Sequence, residues 1–220
     1  MFKEETNMNM IVTHLGMGDA LICLGMACFL SLRGTILFPV KTHNISTVKD
    51  LIDGYNIKVY EVNDDNDMRS MAAHLNSLYL GMFNEKGDRG NFPVIFYEDA
   101  GLNYNISYDY FPIDNIKKIQ QYEPPKGNYV FMHEGGSSGE WMIKDKFKGP
   151  PYKIVRPNPE VSMLRYCDII KNAKEIHVID SSWIQLIDRI DITGELYFHQ
   201  YARPTDWDMR LKKDWIYIHE

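Results

Sequence analysis

Residues suited to holding an anion or moving a proton recur in this chain where strands give way to turns. The fullest example lies in 174–190. Ile176, Val178 and Ile179 form a short β-branched apolar run, Asp180, Ser181 and Ser182 follow as a cluster of helix-capping residues, and Trp183, Leu186, Ile187 and Ile190 recur at helical spacing. The pattern predicts strand, tight turn, helix. A helix start with free N–H groups and neighbouring hydroxyls is a device for holding phosphate. The same three polar residues equally serve an ordinary helix as caps.

Other candidates share that placement. The run Glu134-Gly135-Gly136-Ser137-Ser138-Gly139-Glu140 follows a strand over 129–133 that ends in His133. Its N–H groups can fold around an oxyanion, or the run can be a hairpin loop. Arg156 follows a strand over 152–156 and would point to the same edge. At the amino end, His14-Leu15-Gly16-Met17-Gly18-Asp19 joins a strand to an apolar helix. Gly16 and Gly18 let a ligand approach the backbone, although the pair falls short of a dinucleotide fingerprint. Asp19 would sit at the carboxyl end of a parallel strand, where open α/β sheets place ligands, or serve as a first-turn acid favoured by the helix dipole. Asp65 and Asp67 form an Asp-x-Asp after a strand, an arrangement that can hold a divalent ion or simply cap the next helix. No histidine pair has metal-ligand spacing, so His177 reads as packing, and His14 and His133 stay as candidate site residues.

Strands are expected over 10–14, 35–40, 57–62, 129–133, 152–156 and 176–179, with a last one over 195–198. Helices are expected over 20–32, over 46–55 with Ser46 as cap, over 67–79 on Met68, Met71, Leu75 and Leu78, over 116–122 and 164–173, and after Ser182, while 92–100 reads as a short helix or a strand–helix junction. The segment 201–220 reads as a mixed tail. Alternating strands and helices predict an α/β fold of parallel sheets. Glu123-Pro124-Pro125-Lys126-Gly127 breaks the pattern and predicts two domains, over 1–122 and 128–220.

Composition bounds the function. The chain has 220 residues and is 45% hydrophobic, enough for a sizeable core. A net charge of −6 offers no general attraction to nucleic acid or anionic lipid, so nucleic acid is not an expected partner. The three cysteines lie in apolar patterns without CxxC spacing, which fits reduced thiols and a cytoplasmic location. The apolar stretch 11–32 is interrupted by His14, Gly16, Gly18 and Asp19, and residues 1–9 carry two acids to one base. Neither a membrane span nor an export signal is expected.

The carboxyl third resembles short glycosyltransferase-like proteins of bacteria and large viruses. The resemblance rests on Tyr129-Val130-Phe131-Met132-His133-Glu134, Ile154-Val155-Arg156-Pro157, Asn172-Ala173-Lys174-Glu175-Ile176-His177-Val178-Ile179-Asp180-Ser181-Ser182 and Leu196-Tyr197-Phe198-His199-Gln200-Tyr201-Ala202-Arg203. The amino end, His14 to Asp19, is similar to the opening of GT-B glycosyltransferases such as the heptosyltransferases. The resemblance implies two trimmed Rossmann-like domains facing each other. It implies a nucleotide-diphosphate sugar as donor and a glycan or glycoconjugate as acceptor, with no further cofactor.

By position, the resemblance makes Asp19 the general base and places Ser181 and Ser182 at the pyrophosphate-binding helix start. Gly135, Gly136, Ser137 and Ser138 become the phosphate-facing loop. The implied reaction is inverting and metal-independent transfer. Two competitors stay open: a metal-dependent GT-A-type transferase using Asp65 and Asp67, and a non-catalytic nucleotide- or glycan-binding module.

Overall fold

The computed structural model describes residues 9–80, 92–136, 139–140, 143, 152–202 and 209–219. The chain divides into two compact units, Met1–Asn115 with Trp207–Arg210, and Ile116–Asp206 with Leu211–Glu220. Both are α/β with parallel sheets.

In the first unit β1 (Asn9–Val12), β2 (Ile36–Lys41), β3 (Ile57–Val62) and β4 (Asn76–Tyr79) form a parallel sheet of order β3-β2-β1-β4. The helices are α1 (Met17–Ser31), α2 (Ile45–Leu51), α3 (Asp65–Ala72), α4 (Phe92–Asp99), α5 (Ile106–Asp109) and α6 (Ile113–Ile116). The chain steps from β1 outward to β3, then α3 carries it back to lay β4 on the other flank of β1. Met10, Val12, Val62, Met68 and Ala72 make the core of that crossing. Progression through the sheet therefore reverses between β1 and β4, and such a reversal opens a crevice at the carboxyl ends of the two strands.

α1 is apolar on all sides because it is buried on all sides. A Cβ on Gly25 would lie 2.5 Å from the Ile106 carbonyl oxygen and 2.7 Å from Ser107 Cα, so α1 meets the backbone of α5 where only glycine fits. Beside that crossing the Tyr97 hydroxyl donates to the Ile22 carbonyl at 2.7 Å and accepts from the Met26 N–H at 3.2 Å. It thus sits between the two groups that ordinarily close that turn. With 15 residues, α1 falls short of a bilayer, and no helix among the described residues is long and apolar enough to cross a membrane.

In the second unit β5 (Tyr129–His133) is followed by a two-stranded antiparallel ladder, β6 (Gly135–Gly136) with β7 (Gly139–Glu140). Then come β8 (Lys153–Val155), α7 (Cys167–Lys171), β9 (Glu175–Val178), α8 (Ser182–Ile187), β10 (Glu195–His199) and β11 (Trp215–Ile218). The parallel sheet has the order β11-β10-β9-β5-β8. Counted within the unit this is the 2-1-3-4-5 order of flavodoxin-like sheets, which reverses between β5 and β9. Tyr129 donates its hydroxyl to the Ile169 carbonyl at 2.7 Å, and the rings of Trp183 and Phe131 lie 5.3 Å apart. α7 and α8 therefore cover the face that carries Tyr129, Phe131 and His133. Register puts Val130 and Met132 on the opposite face with Glu175 and His177 of β9 and, beside those, Glu195 and Tyr197 of β10.

Several expectations are corrected. The helix expected over 67–79 ends at Ala72, and Asn76–Tyr79 pairs with β1 as a parallel strand. Met71 and Leu75 pack on the first unit's core as expected, but from a helix end and a turn, where sheet pairing overrides helical spacing. Ser46 is not a cap: α2 continues a 3-10 turn over Thr42–Asn44, and its N-cap is Asn44. The helix expected over 116–122 gives way to α6, which stops at Ile116. The helix expected over 164–173 splits into a 3-10 turn, Met163–Tyr166, and the short α7. The tail holds a further strand, β11, so 195–198 is not the last.

Candidate functional site

Each unit gathers its candidate residues at its own sheet reversal. In the first unit these are Thr13 and His14, just past β1, and the Gly16-to-Asp19 turn that starts α1. Gly16 is the N-cap and extended, with no side-chain cap. Asp19 occupies the third helical position, from which an acid folds back over the helix start. Its Oδ2 lies 2.7 Å from where a Cβ on Gly16 would stand, so the carboxylate sits close over the start of the helix. The turn thus gives Asp19 a local role at the helix start while leaving it half-buried at the sheet edge. Gly18, at the second helical position, is also half-buried, as is His14. Thr13 is buried, and its hydroxyl has no hydrogen-bond partner among the described residues.

In the second unit the reversal falls between His133-Glu134 and Asp180-Ser181-Ser182. The hydroxyl of Ser181 lies 3.2 Å from His133 Nδ1, a contact that ties the two strand ends together. Ser181 is the N-cap of α8 by backbone geometry, with extended φ and ψ, yet its side chain makes no capping bond. The purely structural account of Ser181 as a cap is therefore not what the side chain does. Trp183 covers the imidazole of His133 at a ring distance of 5.2 Å. Burial pushes the His133 pKa down to about 4 against the opposing pull of Glu134, so the ring is neutral at neutral pH. Asp180 is buried at the same strand end, and Ser182 opens the helix.

Arg156 does not stand alone. Its Nε donates to Glu134 Oε2 at 2.6 Å, and Nη2 lies 3.4 Å from the Met132 sulfur. The other Glu134 oxygen accepts the Ile143 N–H at 3.1 Å. Arg156 thus brings placed donors to the edge, with its charge balanced by a carboxylate. Gly135 and Gly136 stand half-buried and pair with Glu140 and Gly139 in the antiparallel β6–β7 ladder. Ser137 and Ser138 lie outside the described residues.

The acidic turn 63–67 is a reciprocal cap. Asp64 Oδ1 accepts the N–H groups of Asn66 and Asp67 at 2.8 and 3.0 Å, and Asp67 Oδ2 accepts from the Asn63 side-chain amide at 2.7 Å and from the Asn63 N–H at 3.3 Å. The two backbone bonds hold the Asp64 carboxyl below its usual range. Asp67 is thereby committed to the start of α3, with Asp65 beside it as the first helical residue. Among the described residues no group of three or more His, Cys, Asp or Glu side chains is placed to hold a metal ion.

Sequence reasoning missed one cluster. Glu175, His177, His199 and Tyr201 form a hydrogen-bonded file on the face of the second sheet opposite α7 and α8. Glu175 Oε2 to His177 Nε2 is 3.2 Å, His177 Nδ1 to His199 Nε2 is 2.9 Å, and His199 Nδ1 to the Tyr201 hydroxyl is 3.2 Å. Tyr197 stacks on His177 at 4.4 Å with the rings 2° from parallel. The i, i+2 spacings Glu175/His177 and Tyr197/His199/Tyr201 were visible in sequence, but the register that aligns the two sets was not. His177 is buried as expected, in a polar chain instead of an apolar packing role.

No family model, curated protein or solved structure matches this chain.

Proposed function

We propose that the chain is a glycosyltransferase that moves a sugar from a nucleotide-diphosphate donor to a hydroxyl of a glycan or glycoconjugate, with the GT-B plan of two Rossmann-like domains. The observation that carries the reading is the Ser181–His133 contact across the β5/β9 reversal. It puts a hydroxyl, a neutral imidazole and the start of the glycine run at the edge where a sheet of this order holds its nucleotide. The diphosphate would be held by the Ser181 hydroxyl, backbone N–H groups of that run and the placed donors of Arg156. Because Glu134 balances Arg156, neutral donors carry more of the leaving group than sequence alone suggested.

In this reading Asp19 takes the proton of the acceptor hydroxyl as its oxygen attacks the anomeric carbon. The bond from that carbon to the diphosphate oxygen breaks and its electron pair leaves with the diphosphate, inverting the centre. The commitment of Asp67 to its helix cap weighs against the GT-A alternative. One observation favours the second reading, a non-catalytic nucleotide- or glycan-binding module: Asp19 already has a local role over Gly16.

A panel of nucleotide sugars separates the two. A transferase turns over one of them, and Asp19→Asn abolishes transfer while leaving donor binding intact. A binder shows affinity without turnover, and full activity in Asp19→Asn removes the base from Asp19.

A further inference from the structure

A face of a parallel sheet is ordinarily apolar, and burying polar groups there is costly unless each is matched. The second unit departs from that rule along one line. Glu175, His177 and His199 are buried, at 9%, 1% and 3% exposure, and with Tyr201 they form a single file of three hydrogen bonds. The file runs from the amino edge of β9 to the carboxyl edge of β10. Tyr201 there packs against the cluster of Val130, Met132, Ile143 and Ile179, next to the β5/β9 reversal. At the other end the Glu175 side chain retains 12% exposure, and register sets it opposite Glu195.

We propose that this file is a proton relay, with the Tyr201 hydroxyl as the acid–base group offered to a hydroxyl-bearing ligand at the carboxyl edge and Glu175 as the terminal proton acceptor. The proposal stands independently of the glycosyltransferase reading.

The direction of the bonds follows from elimination. An ionised Glu175 can only accept, so His177 donates Nε2–H to it and accepts at Nδ1. His199 then donates Nε2–H to His177 and accepts at Nδ1, which takes the Tyr201 O–H. When a ligand hydroxyl gives its proton to the Tyr201 oxygen, the Tyr201 proton passes to His199 Nδ1. The His199 Nε2 proton passes to His177 Nδ1, and the His177 Nε2 proton passes to Glu175. One proton leaves the ligand, one arrives at the carboxylate, and each ring exchanges one neutral tautomer for the other.

Burial suits this cycle. It pushes His177 down to about 3 and His199 to about 4, so neither ring stops as an imidazolium. The Glu175–His177 contact is thus a hydrogen bond from a neutral imidazole to a carboxylate and not an ion pair. The surrounding charges are Glu134 facing His199, and Glu195 and Lys174 facing Glu175, with the Tyr197 hydroxyl bound to Glu195 at 2.8 Å. Burial and Glu195 together raise the Glu175 pKa, which favours the loaded carboxyl.

The test is nitrogen-15 NMR of the histidine rings in the whole chain, from neutral pH down to the onset of ring protonation near about 4. Both rings should begin as Nε2–H tautomers and exchange together to Nδ1–H as Glu175 protonates, without an imidazolium signature. Glu175→Gln should abolish that exchange. Tyr201→Phe should move the Glu175 titration to lower pH, because it removes the hydroxyl that receives the His199 N–H in the loaded state, and a buried N–H that loses this acceptor costs more than a ring nitrogen that loses this donor. Rings that keep fixed tautomers, exchange separately or become imidazolium while Glu175 titrates would overturn the relay. So would an exchange that persists in Glu175→Gln, or a Glu175 titration unmoved in Tyr201→Phe. If a variant does not fold, the wild-type titration decides alone.

Discussion

Ser181 Oγ and His133 Nδ1, 3.2 Å apart, join the carboxyl ends of β9 and β5 at the strand reversal of the second sheet. Because the hydroxyl of Ser181 is turned to the imidazole and caps nothing, its removal separates stability from binding. Ser181→Ala should cost about 1 kcal/mol of stability, the net worth of one hydrogen bond. Nucleotide binding should fall on the order of tenfold, the equivalent of about 1.4 kcal/mol. Denaturant unfolding and calorimetric titration measure the two separately.

The second unit should be acid-labile well above the carboxylate range. His133, His177 and His199 have folded pKa values of about 4, 3 and 4, below their unfolded value of 6.5. Between those limits the unfolded chain binds more protons than the folded one, so stability is full above the unfolded value and falls as pH drops toward the folded ones. Glu175 acts with the opposite sign, since its raised pKa makes the folded state the better proton acceptor there. Urea unfolding at stepped pH should show the loss, and flat stability across the histidine window would contradict the burial of the three rings.

Asp188 fastens the last strand. Its buried carboxylate accepts the Lys212 N–H at 2.9 Å, the Lys213 N–H at 3.1 Å and the Trp215 indole N–H at 2.9 Å. Asp188→Ala leaves all three donors without this acceptor and should cost about 2–4 kcal/mol. Hydrogen exchange should speed first in β11. Equal protection of β11 in the variant would show that strand pairing with β10 holds it unaided.

Asp64 and Asp67 should matter to α3 and not to any metal-dependent step. Asp64→Ala removes the cap and should destabilise α3, read as faster hydrogen exchange in its first turn. Asp67→Asn should leave transfer unchanged, with or without a chelator. A transfer rate that collapses in excess chelator and in Asp67→Asn would favour the GT-A alternative.

The strand–turn–helix at 174–190 was legible because β-branched residues, capping residues and helical spacing agree there. Disagreement hid β4: Met68, Met71, Leu75 and Leu78 keep helical spacing into a segment that the neighbouring β1 claims as a strand. The sites show the same division. Strand ends can be read locally, so Ser181, His133 and Asp19 could be placed there from sequence alone. The commitment of Arg156 to Glu134, 22 residues away in sequence, was not visible, nor was the alignment of Glu175 and His177 with His199 and Tyr201. Those depend on parallel register, which is set by the whole sheet.

The central claim is that the β5/β9 reversal holds a nucleoside diphosphate, and thermal unfolding against GDP, UDP, ADP, CDP and TDP tests it most directly. One of them, at about a hundredfold above its Kd, should raise Tm by on the order of 5–10 °C. The rise should shrink in Ser181→Ala. No shift with any of the five, or an equal shift in wild type and Ser181→Ala, would contradict the account.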